Sequence, residues 1–195
     1  MSRNPAPSLV LAAALGACSL QSEVLNSERI TNRFGNYGVE IIEQDDDTRR
    51  SSLYSTSNGE RTCRTYAVVK FAGGDSFDNS NMHQKVIDGA SIGSTFKSDG
   101  WEIRKETIYV GEVASSGVRL PIGELMHLQS TTNLAVHAYH LHIEKGSTSR
   151  HYATIVETHH PEYLGKSELL ELYPPLIQAD AESILDVRQL VLDQH

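Results

Sequence analysis

Apolar and polar positions alternate along much of this chain, and that two-residue period predicts strands first and helices later. Tyr37, Val39 and Ile41 alternate with Gly38 and Glu40 in a strand from Asn36 to Gln44. A short strand follows from Arg50 to Thr56. Asn58-Gly59 then supplies the two residues most tolerant of positive φ, which a tight hairpin needs, and leads into a strand from Arg61 to Phe71. Strand parity there sets Cys63, Thr65, Ala67, Val69 and Phe71 on one face and Arg64, Tyr66 and Lys70 on the other. Cys63 is therefore expected to point into a core, where a thiol far from cations packs and does not react. Asp99-Gly100 is the turn before another strand, Trp101 to Val110.

The pattern changes to helical spacing in three places. Met82 and Val86 fall on one face of a short helix from Asn81 to Asp88, with Gly89 as its stop. Ser167 to Leu172 reads as a second helix, ended by Pro174-Pro175, and Asp180 to Asp193 as a third, with Ile184, Val187, Leu190 and Val191 in a stripe. The short Val118 to Pro121 piece and Gly123 to Asn133 show no decisive period. Strands followed by terminal helices predict an α+β fold, mainly an antiparallel sheet, with one short central helix and C-terminal helices packed on one face. The organisation expected is a signal segment at residues 1–17, a tether at 18–31, and a single domain over 32–195.

The segment from Leu134 to Leu164 contains six of the nine histidines: 137, 140, 142, 151, 159 and 160. A hairpin turn centred on Ser147 would set Glu144 opposite Arg150, His142 opposite Tyr152, and His140 opposite Thr154. One face then carries Tyr139, Leu141, Ile143, Ala153 and Ile155, a core face, with His137 near Glu157 at its far end. The other face carries His140, His142, Tyr152, Thr154, Glu144 and Arg150 and is polar. Parity thus spreads the histidines over both faces, which weakens the reading of the segment as one catalytic cluster.

Charge removes one class of partner. The formal net charge is −8, with acidic and basic residues interspersed, so no basic face exists to hold nucleic acid. The acidic run Glu43 to Asp47 lacks the spacing of a calcium loop and reads as a solvated turn. At the N-terminus, Arg3 precedes the apolar stretch Leu9 to Leu15, which is too short to span a bilayer. It ends in Leu15-Gly16-Ala17-Cys18, which resembles the lipobox of bacterial lipoproteins. The resemblance covers about twenty residues and implies cleavage before Cys18, lipidation of that cysteine, and the bilayer as a partner through the acyl chains. Ser19, where that class uses Asp to retain a protein at the inner membrane, implies the periplasmic face of the outer membrane. Loss of residues 1–17 leaves 16 basic against 25 acidic side chains, a formal −9, so the lipid and not the protein surface is the expected anchor. With Cys18 acylated, Cys63 has no disulfide partner.

Three constellations are candidates for chemistry. His140-Leu141-His142 projects two imidazoles from one side of a strand, about 7 Å apart, a spacing that can hold zinc given a third ligand. His160, His127 and Glu144 are the candidates for that third position. Glu157 and His160 flank the end of the hairpin and could share acid–base work. Gly89-Ala90-Ser91-Ile92-Gly93 matches the turn that exposes the serine of α/β-hydrolases, but a helical segment precedes it where that turn needs a buried parallel strand. No set is complete, so the expected function is an envelope binding or assembly module, with another envelope protein as a candidate partner and no cofactor. The alternative is a small metal-assisted hydrolase that uses zinc on His140 and His142.

Overall fold

The computed structural model describes residues 24–73, 81–117 and 122–174. Among them are helix α1 (Asn26–Phe34), strands β1 (Gly38–Gln44), β2 (Thr48–Ser57) and β3 (Glu60–Phe71), helices α2 (Asn81–Ile87) and α3 (Ile92–Ser98), strand β4 (Glu102–Ala114), helix α4 (Ile122–Leu125), strands β5 (Asn133–Lys145) and β6 (Thr148–His159), and helix α5 (Lys166–Leu172). The strands form one sheet in the order β1-β2-β3-β6-β5-β4, and every neighbouring pair is antiparallel. The fold is α+β, as the alternation followed by helical spacing predicts. The C-terminal helix from Asp180 to Asp193, the piece from Val118 to Pro121, and the N-terminal segment with Cys18 lie outside the described residues.

Two tight turns fall where sequence chemistry puts them. Asn58 and Gly59 both take positive φ, at 53° and 87°, between β2 and β3, the geometry whose twist suits a two-residue hairpin. The other is Gly146-Ser147, with Gly146 at φ 62°, which joins β5 to β6.

The helices depart from expectation in number and place. Helix α1 begins inside the segment expected to be a tether, because Ile30 is fully buried and Leu25 and Asn26 nearly so. Its first turn is fixed by Glu28, whose carboxylate accepts the Leu25 backbone N–H at 2.8 Å. Helix α3 occupies a stretch with no apolar period beyond Ile92 and Phe96; Phe96 is fully buried and decides the conformation. α4 settles the ambiguous region by burying Ile122, with Met126 just beyond it.

The sheet's two faces are covered unequally. On the first, α2, α3 and Leu25 close over Val69, Phe71, Ile103, Tyr139, Leu141, Ile143, Ala153 and Ile155. Toward the other end of the same face, Ile30 of α1 and Leu169 of α5 pack with Ala135, Tyr163 and Tyr173. The second face is covered by α4 over Cys63, Tyr66, Val68 and Leu134. Near the Gly146 turn no described helix covers it.

Bulges change which face two residues serve. On β3 the register steps from Leu53↔Thr65 to Tyr54↔Cys63, leaving Arg64 as the extra residue. Cys63 is buried as expected, but it packs on the second face with Tyr66 and Val68, against the parity of an unbroken strand. Burial pushes its thiol up to about 11, so it is inert. On β6 the register steps from Leu141↔Ala153 to His142↔His151, leaving Tyr152 as the extra residue. Tyr152 therefore turns into the first-face core, where its ring lies 4.7 Å from that of Phe96. The expected pairings His142–Tyr152 and Glu144–Arg150 are displaced by one position, while His140↔Thr154 holds. The core set Tyr139, Leu141, Ile143, Ala153 and Ile155 is buried throughout.

Candidate functional site

Beneath α1 and α3, on the first face, lies a cavity of about 80 Å³. Its wall includes the apolar Val69, Leu141 and Ile155, and its polar groups include Tyr37, Arg49, Ser91, Lys105 and Glu157. Strand parity brings them together: Arg49 and Ser51 pair with Val69 and Ala67, Lys105 with Leu141, and Glu157 with Ala67 and His137, all on one face. Gly93 lets α3 approach α1, since a Cβ there would sit 2.7 Å from the Leu25 side chain.

Arg49 is the most demanding group in that wall. It is only 2% exposed, and a guanidinium keeps its charge at any ordinary pH. One terminal nitrogen donates to the carbonyls of Val86 at 2.9 Å and Ala90 at 3.0 Å, while its Nε has no partner. Among the described residues no carboxylate pairs with it. Burial holds the guanidinium below its ordinary range, with only the Tyr37 and Tyr152 hydroxyls opposing. Tyr37, hydrogen-bonded to Ser91, has its own pKa raised by burial.

Glu157 is anchored by a neighbouring network. Asn26 Nδ2 donates to Glu157 Oε1 at 3.0 Å and to Thr65 Oγ1 at 3.2 Å, and its Oδ1 accepts the Tyr163 hydroxyl. His159 Nδ1 meets Thr65 Oγ1 at 3.0 Å, and its Nε2 lies 3.9 Å from Glu157 Oε2, beyond a hydrogen bond. Burial drives the His159 pKa down to about 4 against the pull of Glu157. His137 stacks on Tyr173 with ring centres 4.3 Å apart, and Nε2 meets Thr107 Oγ1 at 3.1 Å. Burial first, then Lys105, takes its pKa to about 2. Both histidines are neutral packing groups near neutral pH.

The sequence-derived candidates separate. Glu157 and Ser91 line the same cavity, which nothing in their spacing suggested. His160 is elsewhere: its Nε2 meets the Met126 carbonyl at 3.0 Å and its Nδ1 accepts the Glu162 N–H at 3.0 Å, so both ring nitrogens are committed. The expected Glu157–His160 pair does not form, because adjacent strand positions face opposite ways until the chain leaves the sheet at His160. Ser91 starts α3 after a helix and is bonded to Tyr37, and the described sheet is antiparallel. The serine turn of an α/β-hydrolase is therefore not present.

His140 and His142 project from the open part of the second face. His140 Nδ1 meets Thr154 Oγ1 at 3.0 Å, and His142 Nε2 lies 3.4 Å from Glu106 Oε2. Partial burial lowers both pKa values, with His151 adding to the effect. The expected third ligands are all displaced. His160 is committed as above, Glu144 accepts from Arg104 at 2.9 Å and from Ser149 at 2.9 Å, and His127 sits in the turn after α4 at φ 54°. As the side chains stand, no three His, Cys, Asp or Glu donors among the described residues are arranged around one metal position.

Arg49, Tyr37, Lys105 and Asn26 were missed from sequence. Each is polar on a strand or helix face that only the three-dimensional covering by α1 and α3 turns inward. No known family model matches the chain, and comparison with curated proteins finds no relative. No helix among the described residues is long and apolar enough to cross a membrane.

Proposed function

We propose that this chain is a lipid-anchored bacterial envelope protein whose domain binds a small organic anion in the cavity beneath α1 and α3. The observation that carries the reading is Arg49: a buried, permanently charged group in the wall of a cavity, with an unsatisfied Nε and no acid partner among the described residues. A buried cation left uncompensated is costly, and a carboxylate brought by a ligand would offset that cost with a charge-assisted hydrogen bond. Tyr37 and Ser91 add hydroxyls, and Glu157 on the same wall suits a ligand that also carries a donor. A volume of about 80 Å³ fits a molecule of several heavy atoms, since about 10–15 Å³ of such space holds one water. The anchor is supported by the lipobox-like Leu15-Gly16-Ala17-Cys18. Seven residues separate Cys18 from Asn26, so α1 stands within about 30 Å of the lipid even at full extension.

The test is thermal unfolding of the mature chain across a panel of small carboxylic and amino acids. At least one should raise Tm saturably, and Arg49→Met should abolish the rise. A panel without effect, or an Arg49→Met protein that responds equally, overturns the binding reading. Intact mass of the protein from its native membrane tests the anchor separately, with acyl mass at Cys18 expected.

A further inference from the structure

The bulge on β6 does more than bury Tyr152. By absorbing one residue it delivers His151 opposite His142, onto the face that already carries His140. Without the bulge Tyr152 would stand there, and His151 would face the other way. The result is three imidazoles in one patch: His151 lies 4.8 Å from His140 and 5.5 Å from His142 between ring centres. Two histidines on one tetrahedral zinc, with metal–nitrogen bonds of about 2.0–2.1 Å, have ring centres about 5 Å apart. Glu106, paired with His140 across β4 and β5, places its carboxylate 3.4 Å from His142 Nε2.

We propose that His140, His142 and His151 form a binding site for a borderline divalent cation such as zinc, with Glu106 as the fourth ligand.

The arrangement is that of a site before its ligands turn inward. His140 Nδ1 and His151 Nε2 both rest against the Thr154 hydroxyl, at 3.0 and 3.4 Å. Each ring keeps a second nitrogen with no partner among the described residues. Half-exposed side chains change rotamer in ps to ns, and forming the site requires the rings to turn from their present positions, in which no three donors among the described residues meet at one point. The competing claim on Glu106 comes from Arg104, whose guanidinium is 3.2 Å from it and also bonds Glu144 at 2.9 Å. That exposed pair contributes little, and Arg104 keeps Glu144 when Glu106 turns to the metal. Imidazole and carboxylate donors select zinc, nickel or copper over magnesium and calcium. The site lies on the opposite face from the Arg49 cavity and stands independently of it.

Zinc titration of the tag-free mature chain, followed by calorimetry, tests the assignment. One zinc per chain is expected. His140→Ala, His142→Ala and His151→Ala should each weaken binding by at least about tenfold, while the thermal unfolding of the metal-free variants stays close to that of the parent. His127→Asn, a histidine outside the patch replaced by a residue that tolerates its positive φ, should bind as the parent does. Cobalt in place of zinc should give the visible absorption of a tetrahedral site, lost in His151→Ala. Absence of zinc binding overturns the proposal, as does full affinity in His151→Ala or an equal loss in His127→Asn.

Discussion

The two faces of the β5–β6 hairpin carry the same residue type to opposite ends. On the helix-covered face, His137 and His159 are 0% and 1% exposed, and burial keeps them uncharged. They behave as polar aromatics that complete a core around Glu157, Asn26 and Thr65. On the open face, His140, His142 and His151 are half-buried to exposed, and each keeps a ring nitrogen without a partner among the described residues. Histidine content therefore says little about function; access and the commitment of the second nitrogen decide it.

That contrast breaks most visibly in acid. The folded-state pKa of His159 is about 4 and that of His137 about 2, both below the ordinary 6.5. The unfolded chain takes up these protons first, so the stability they support is intact above pH ~6.5 and falls as pH drops toward ~4, at about 1.4 kcal/mol per pH unit per group. Urea unfolding at a series of pH values should show this slope, and His159→Gln should flatten it by about half of the two-histidine contribution. His140→Gln, whose ring is only partly buried and lowered in the same direction, should flatten the slope less than His159→Gln. An equal flattening by both variants would remove the distinction between the faces.

The buried network gives the next largest effect. Asn26→Ala strips the donor from Glu157 Oε1 and the acceptor from the Tyr163 hydroxyl, leaving buried polar groups unsatisfied. A loss of about 2–4 kcal/mol is expected in chemical denaturation. The same substitution at His151, exposed and resting against Thr154 and the His140 and His142 rings, should cost less than about 0.5 kcal/mol without metal. Comparable is Arg61→Ala, which removes an exposed pair with Glu40 at 3.4 Å and a guanidinium 4.8 Å over the Tyr54 ring and should cost about 0.5 kcal/mol.

Much of the fold was legible because period and turn chemistry agree. The Asn58-Gly59 hairpin, the Tyr139–Leu141–Ile143 core face and the Ala153–Ile155 partner face all follow from alternation. What escaped is what alternation cannot carry. A bulge looks like any other strand residue in sequence, so unbroken parity places Tyr152 on the polar face and leaves His151 off the face of His140 and His142. Arg64 hid the change of face at Cys63 in the same way. Arg49 escaped for a different reason: nothing local marks a strand arginine as buried when the helices that cover it are distant in the chain. Helix α1 was concealed by its polar composition, since burial of Ile30 and of the Asn26 amide, and not propensity, holds it in place.

The central claim is that burial divides these histidines into a neutral framework and a free ligand set. Histidine ring ¹H–¹⁵N spectra of the mature chain, recorded through a pH titration and again with zinc, test it most directly. The account predicts that His159 titrates near pH 4 and that zinc shifts the ring nitrogens of His140, His142 and His151 alone. His159 titrating near its ordinary 6.5, or zinc shifting the rings of His137 and His159, would contradict it.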